Sequence, residues 1–139
     1  EVTAAFLFSQ LESAKDITIK RKAIWDKYHE SLESLERAEV IRRPFIPENT
    51  EHNAHMYYLI FRSQRERAKI LNGLKDMGIN CVTHYVPLHS SPEGKRVGRS
   101  HGNLKNTTEI ADTLLRLPLW IGLNPSRVID GLVKLSKSL

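Results

Sequence analysis

The side chains best suited to chemistry in this sequence sit in one short run, His84-Tyr85-Val86-Pro87-Leu88-His89, three residues beyond the only cysteine, Cys81. Two imidazoles and a phenol can donate to and accept from the hydroxyls of a polar ligand, and Pro87 restricts the direction in which they are presented. Packing accounts for the same residues: Tyr85 fills space, Pro87 ends a strand, and both histidines cap neighbouring backbone groups. Residue types alone leave both readings open.

Other constellations are weaker. Cys81 with His84 and His89 has the composition of a thiol and its base, but Cys81 lies in the apolar run 79–82, where cysteine acts as a small hydrophobe. No catalytic residue is therefore assigned. His52 and His55 have loose metal-ligand spacing without a CxxC, an HExxH or a cluster of carboxylates, so no metal site is predicted. GxGxxG and P-loop patterns do not occur.

These residues must be carried by a chain of 139 residues, enough for one domain with a real core. Its 40% hydrophobic and 27% charged content is that of a soluble protein, and no run approaches the ~20 apolar residues of a membrane span. The net charge of +5 raises the question of nucleic acid. Its lysines and arginines are scattered, with no basic stripe interleaved with aromatics, so solvated helix faces are the preferred reading and no nucleic-acid partner is expected. A lone cysteine points to a reducing, cytoplasmic setting. The chain opens on neither methionine nor a leader peptide, which reads as the interior of a longer protein.

The run 79–89 reads as a buried strand leading into a rigid polar tip. Before it, residues 2–13 form an apolar helix with hardly a charge, buried on most of its circumference. Asp16 is the expected cap of a second helix reaching about Arg37, with Ile17, Ile24, Tyr28, Leu32 and Leu35 on its apolar stripe and Trp25 beside it. Residues 40–53, with two prolines, form a connection, and residues 55–61 a strand. Ser63 and Glu66 form a capping-box pattern for a helix over 64–77, closed by Gly78. Residues 90–105 read as a mobile loop, and Asn106 with Glu109 as the start of a helix running to about Arg116 that buries Ile110, Leu114 and Leu115. A short extended piece, LPLW, follows. Asn124 and Pro125 then open a last helix burying Val128, Ile129, Leu132 and Val133. The fold class is α+β, a small sheet with packed helices.

Three ordered segments, NAHMYYLIF at 53–61, GINCVTHYVPLH at 78–89 and TLLRLPLWIGL at 113–123, together resemble the C-terminal domain of the DegT/DnrJ/StrS nucleotide-sugar aminotransferases, nearest to the dTDP-4-amino-4,6-dideoxygalactose transaminase type. The resemblance covers essentially the whole chain. It implies the small domain of a fold-type-I enzyme that uses pyridoxal phosphate (PLP) to move an amino group from glutamate to a keto carbon of a dTDP-linked deoxysugar. The Schiff-base lysine and the aspartate facing the pyridine nitrogen belong to the family's large domain. Neither has a counterpart here, so no cofactor-binding residue is assigned and the chain is expected to be inactive alone. Residues 1–14 would pack on that large domain and 15–139 would form the small one, in an enzyme expected to be a homodimer. His84, Tyr85 and His89 are carried over as sugar-nucleotide or glutamate contacts, with His55, at the head of the preceding strand, as a weaker candidate. A stand-alone binding or dimerisation module, with an anionic partner compatible with the charge, is the competing expectation.

Overall fold

The computed structural model describes residues 1–139. Its elements in order are α1 (Val2–Glu12), α2 (Ala14–Ser31), α3 (Glu33–Arg37), β1 (Ile41–Arg42), β2 (Tyr57–Phe61), α4 (Gln64–Asp76), β3 (Val82–Thr83), α5 (Pro92–Val97), α6 (Lys105–Thr113), β4 (Leu114–Leu117) and α7 (Pro125–Ser136). The α+β class and the positions of α4 and α7 agree with the sequence reading. Ser63 caps α4 through its hydroxyl, which accepts from the Glu66 N–H at 3.2 Å, and Gly78 turns the chain beyond it at φ +70. Asn124 caps α7, its side-chain oxygen accepting from the Ser126 N–H at 3.1 Å.

Several elements differ from expectation. The helix expected to reach about Arg37 breaks at Leu32 into α2 and α3, and β1 forms within the expected connection 40–53. Ser13 rather than Asp16 is the N-cap of α2; Asp16 lies inside the first turn and pairs with Lys20 one turn on. The expected loop 90–105 contains α5, capped by Ser91 with Pro92 at the first helical position. No Asn106 cap forms, since α6 begins at Lys105 and has no side-chain cap. The largest difference is at 114–117. Leu114 and Leu115 are buried, as expected, but in strand β4 and not in a helix.

The sheet order is β1-β2-β4-β3, with every neighbouring pair antiparallel. It follows that β2 and β3 run parallel with β4 between them, so β2, α4 and β3 form a split βαβ unit whose gap the last strand fills. That slot explains β4. Leucine favours helix intrinsically, but β2 pairs with all of 114–117 on one side and β3 with Leu115 and Arg116 on the other.

Alternation on β2 sends Tyr57, Leu59 and Phe61 into the core and leaves Tyr58 and Ile60 on the other face. The core face meets α2, α4 and α7, closing a cluster that includes Tyr28, Leu32, Ile70, Leu74, Leu115 and Leu132. Gly131 lets α7 lie close on α4: a Cβ there would stand 3.1 Å from Leu74 and 3.2 Å from Ile79. The buried Tyr28 hydroxyl donates to the Pro118 carbonyl at 2.9 Å, tying α2 to the end of β4. By contrast α1, expected to be buried on most of its circumference, buries none of its residues, because no other element of this chain covers its apolar side; Phe6, Leu7, Phe8 and Leu11 are all exposed.

An aromatic cluster joins α2 to the sheet. Trp25 stacks on His29 at 4.7 Å, with His52 and Tyr57 on its other sides. Burial, reinforced by the nearby Arg43 charge, holds the His29 pKa below its ordinary 6.5, although Glu36, Asp26 and Glu33 pull the other way. For Glu36, burial pushes upward, but hydrogen bonds from the Arg43 backbone at 2.6 Å and Nε at 2.7 Å leave it below 4.5. Both depressed values act in one direction. The unfolded chain takes up a proton at His29 before the folded one does, so stability is lost as the pH falls below 6.5, and Glu36 adds a further loss below 4.5. Urea unfolding at neutral and mildly acid pH is expected to show this fall, and His29→Gln to remove its upper part. An unchanged pH profile in His29→Gln would contradict the assignment.

Candidate functional site

The run that opened the sequence reading leaves the sheet at its edge. Cys81 anchors it, being buried, and burial pushes its thiol up to about 12, so it stays protonated and is no nucleophile. Only Val82 and Thr83 form strand, against Arg116 and Leu115, because β3 is an edge strand with one partner. Val82, expected in the core, is exposed on the open face.

Beyond Thr83 the chain turns through Tyr85, whose φ of 49 lies in the left-handed region. That region disfavours an aromatic residue by about 1–2 kcal/mol. The tyrosine is nonetheless 75% exposed, so packing of its ring does not hold it there. The His84 ring packs against it, tilted by 52° at a centroid distance of 4.8 Å, and is half-buried; its Nδ1 is buried without a hydrogen-bond partner. A buried imidazole nitrogen without a partner carries a desolvation cost that an incoming donor or acceptor would remove. Val86 and Leu88 point to solvent beside Tyr85.

Two devices hold this tip rigid. The Pro87 carbonyl accepts from the backbone N–H groups of Ser90 and Ser91 at 3.0 Å each and from the Ser90 hydroxyl at 3.1 Å. Gly94 of α5 lies against the Leu88 carbonyl so closely that a Cβ would fall 1.6 Å from that oxygen. Only glycine fits, and α5 thereby buttresses the segment.

The tip separates two clefts. Tyr85 and Pro87 line the smaller, of about 250 Å³, together with Gln64, Arg67, Thr108 and Asp112. His89 and Leu88 line the larger, of about 880 Å³, against α5 and the turn after it. His89 Nε2 lies 3.3 Å from the Thr108 hydroxyl, which reaches across from α6. Arg67 Nε donates to the Asp112 carbonyl at 2.9 Å, fixing α6 to α4 behind the smaller cleft. Arg67, Thr108 and Asp112 were not legible as site residues, because their approach to the tip depends on the α4–α6 docking.

The structure brings His84, Tyr85 and His89 to one edge. His55 stands apart: β2 runs parallel to β3, with Tyr57 level with Leu117 and Thr83 level with Leu115, so the head of β2 and the tail of β3 lie at opposite ends of the sheet. His55 is exposed there and holds the Asn53 side-chain oxygen with its backbone N–H at 3.2 Å and Nδ1 at 3.0 Å. His52, its partner in the loose metal spacing, is instead against Trp25. No lysine lines the smaller cleft, and Lys95 in the larger is exposed on α5. A Schiff-base lysine needs a desolvated setting to lose its proton, so these residues do not themselves fit a PLP site.

The pattern of the DegT/DnrJ/EryC1/StrS aminotransferase family matches residues 1–133. The chain belongs to this family. Among curated relatives it is similar to an uncharacterized protein of Methanocaldococcus jannaschii, 28% identical over 94% of this chain and 34% of that one. It is also similar to the dTDP-3-amino-3,4,6-trideoxy-alpha-D-glucose transaminase of Micromonospora megalomicea subsp. nigra, 24% identical over 86% of this chain and 32% of that one. Among solved structures, S. venezuelae DesV in complex with a ketimine intermediate has a TM-score of 0.80 at 26% identity, with 98% of this chain and 36% of that chain covered. NtdA of Bacillus subtilis with bound cofactor PMP has a TM-score of 0.73 at 25% identity, over 87% of this chain and 28% of that chain. The chain thus spans about a third of the length of the family relatives it matches.

Proposed function

We propose that this chain forms the small-domain wall of the active site of a PLP-dependent sugar aminotransferase. The observation that carries the reading is the tip itself: Tyr85 held left-handed, beside a His84 Nδ1 that is buried and unpaired. Strain and an unsatisfied nitrogen in one exposed, buttressed turn are features that ligand contact makes useful. Family membership supplies the class of reaction, and the similarity to a dTDP-sugar transaminase supports a nucleotide-linked keto-deoxysugar as acceptor. Glutamate is the donor in this reading. The specific type in this reading is the dTDP-4-amino-4,6-dideoxygalactose transaminase.

When bound, PLP supplies the electron sink for amino transfer. This chain's residues do other work. Tyr85 and His84 present a phenol and an imidazole to ligand hydroxyls, and His89 gives a second imidazole on the far side of Pro87. His55, at the other end of the sheet, would meet a different part of the ligand or a different chain. The cofactor and its lysine are assigned to a large domain on which the apolar α1, within residues 1–14, packs; the rest, 15–139, is the small domain. The working enzyme is placed in the cytoplasm as a homodimer. No helix of the chain is long and apolar enough to cross a membrane.

The reading predicts that the 139-residue chain cannot form a specific PLP adduct. Incubation with PLP, borohydride reduction and peptide mapping are expected to give only sparse labelling spread over many of its lysines. Stoichiometric trapping at one lysine would overturn the division of labour proposed here.

A further inference from the structure

A third cleft, of about 480 Å³, opens toward the β1 edge of the sheet, opposite the β3 edge that carries the His84 tip, between the end of α2, β1 and β2. It is lined by His29, Arg42, Arg43, Phe45, Tyr58 and Ile60, among others. The two adjacent arginines differ in kind. Arg43 is nearly buried and fully engaged, with Glu36 and the His29 carbonyl as partners. Arg42 is exposed and its guanidinium has neither an ion pair nor a hydrogen bond. The Tyr58 hydroxyl likewise lacks a hydrogen-bond partner in the protein. Register explains their meeting: Arg42 lies opposite Ile60, two residues along β2 from Tyr58, and all three project from the open face of the sheet. Phe45, 82% exposed, is the other aromatic wall.

We infer that this cleft is a binding site for a small aromatic carboxylate, a ligand class that the proposed transaminase reading does not require. Charge and shape choose the class. Glu36 neutralises Arg43 and burial favours the neutral form of His29, which leaves Arg42 as the one unpaired guanidinium among the residues lining the cleft and favours a monoanion over a phosphate dianion. A guanidinium fork accepts a carboxylate through two parallel hydrogen bonds, and the Tyr58 hydroxyl can donate a third. Phe45 and Ile60 then offer apolar surface to a planar body, which a bare acetate or phosphate ion cannot use.

The test is titration of the 15N-labelled 139-residue chain with sodium benzoate, followed by amide shifts. Saturable shifts centred on Arg42, Phe45 and Tyr58 are expected, with a dissociation constant on the order of 1 mM for so small a ligand. Acetate is expected to bind at least about tenfold more weakly, and inorganic phosphate not to saturate. Arg42→Ala and Tyr58→Phe are expected to weaken benzoate about tenfold or more, while His89→Ala leaves it unchanged. Should Arg42→Ala lose its dispersed spectrum, Arg42→Lys keeps the charge without the fork and is expected to weaken binding too. Absence of saturable shifts in this cleft, unchanged affinity in the folded Arg42 and Tyr58 variants, or phosphate binding as tightly as benzoate would each overturn the proposal. None of these outcomes bears on the His84 tip, so the two readings fail separately.

Discussion

Leu115→Ala is expected to remove about 3 kcal/mol of unfolding free energy, a large share of the roughly 5–15 kcal/mol that holds a domain of this size together. The side chain is fully buried, in the central strand, opposite Leu59 on one side and Thr83 on the other. Truncation leaves a space that backbone held by ladders on both edges cannot collapse to fill, so the cavity cost adds to the lost burial. Urea denaturation followed by circular dichroism would read this as a lower midpoint at nearly unchanged slope, and calorimetry as a drop in Tm of roughly 10 °C. The same substitution at Arg116, whose side chain faces the open side, is expected to change stability by no more than about 0.5 kcal/mol. The contrast separates the strand assignment from the helix expected from sequence. On a helix ending near Arg116, Leu115 would lie at a fraying end, and its loss would be milder.

His84→Ala, made in a full-length family enzyme carrying this chain as its small domain, is expected to lower kcat/KM for the sugar nucleotide by about tenfold to a hundredfold while leaving Tm unchanged or slightly raised. The uncoupling follows from the hydrogen-bond ledger of the tip. Its Nδ1 has no partner within the chain, so deleting the ring removes an unsatisfied buried atom and breaks no bond. Tyr85 sharpens the test. Because its φ is 49, Tyr85→Gly relieves backbone strain and is expected to hold or raise stability by up to about 1 kcal/mol, whereas β-branched Tyr85→Val is expected to lower it. Both are expected to reduce turnover of the sugar nucleotide. Steady-state kinetics and thermal melts on the three variants decide the matter: kinetics unchanged from wild type would return His84 and Tyr85 to a purely structural role.

Particular residues show how far the sequence carried these conclusions. The capping oxygens of Ser63 and Asn124, the proline after Asn124 and the left-handed Gly78 are local devices, acting within four residues of chain, and the structure uses each as read. Cys81 is the buried hydrophobe its apolar neighbours implied. The α5 helix was legible in principle, through Ser91 and Pro92, but the glycines and basic residues that follow gave the stretch the composition of a loop. Strand β4 was not legible. Leu114, Leu115 and Leu117 satisfy a helical and a buried-strand pattern alike, and only the gap between β2 and β3 decides between them.

The site divides the same way. The residue types of the run 84–89 left packing and ligand contact both open, and the resemblance of three ordered segments indicated the family, which the match over residues 1–133 bears out. Sequence also fixed the excess of apolar residues on α1, since composition does not depend on what covers it. What tertiary structure decided is who stands beside whom. It placed Thr108 and Arg67 behind the tip, left the His84 nitrogen without a partner, sent His55 to the far end of the sheet and set an unpaired Arg42 beside Tyr58. The physical reason is one of range. Caps, turns and proline act through bonds a few residues apart, whereas strand order and helix docking join residues tens of positions apart through burial, which is non-directional and leaves many pairings open until the whole core closes.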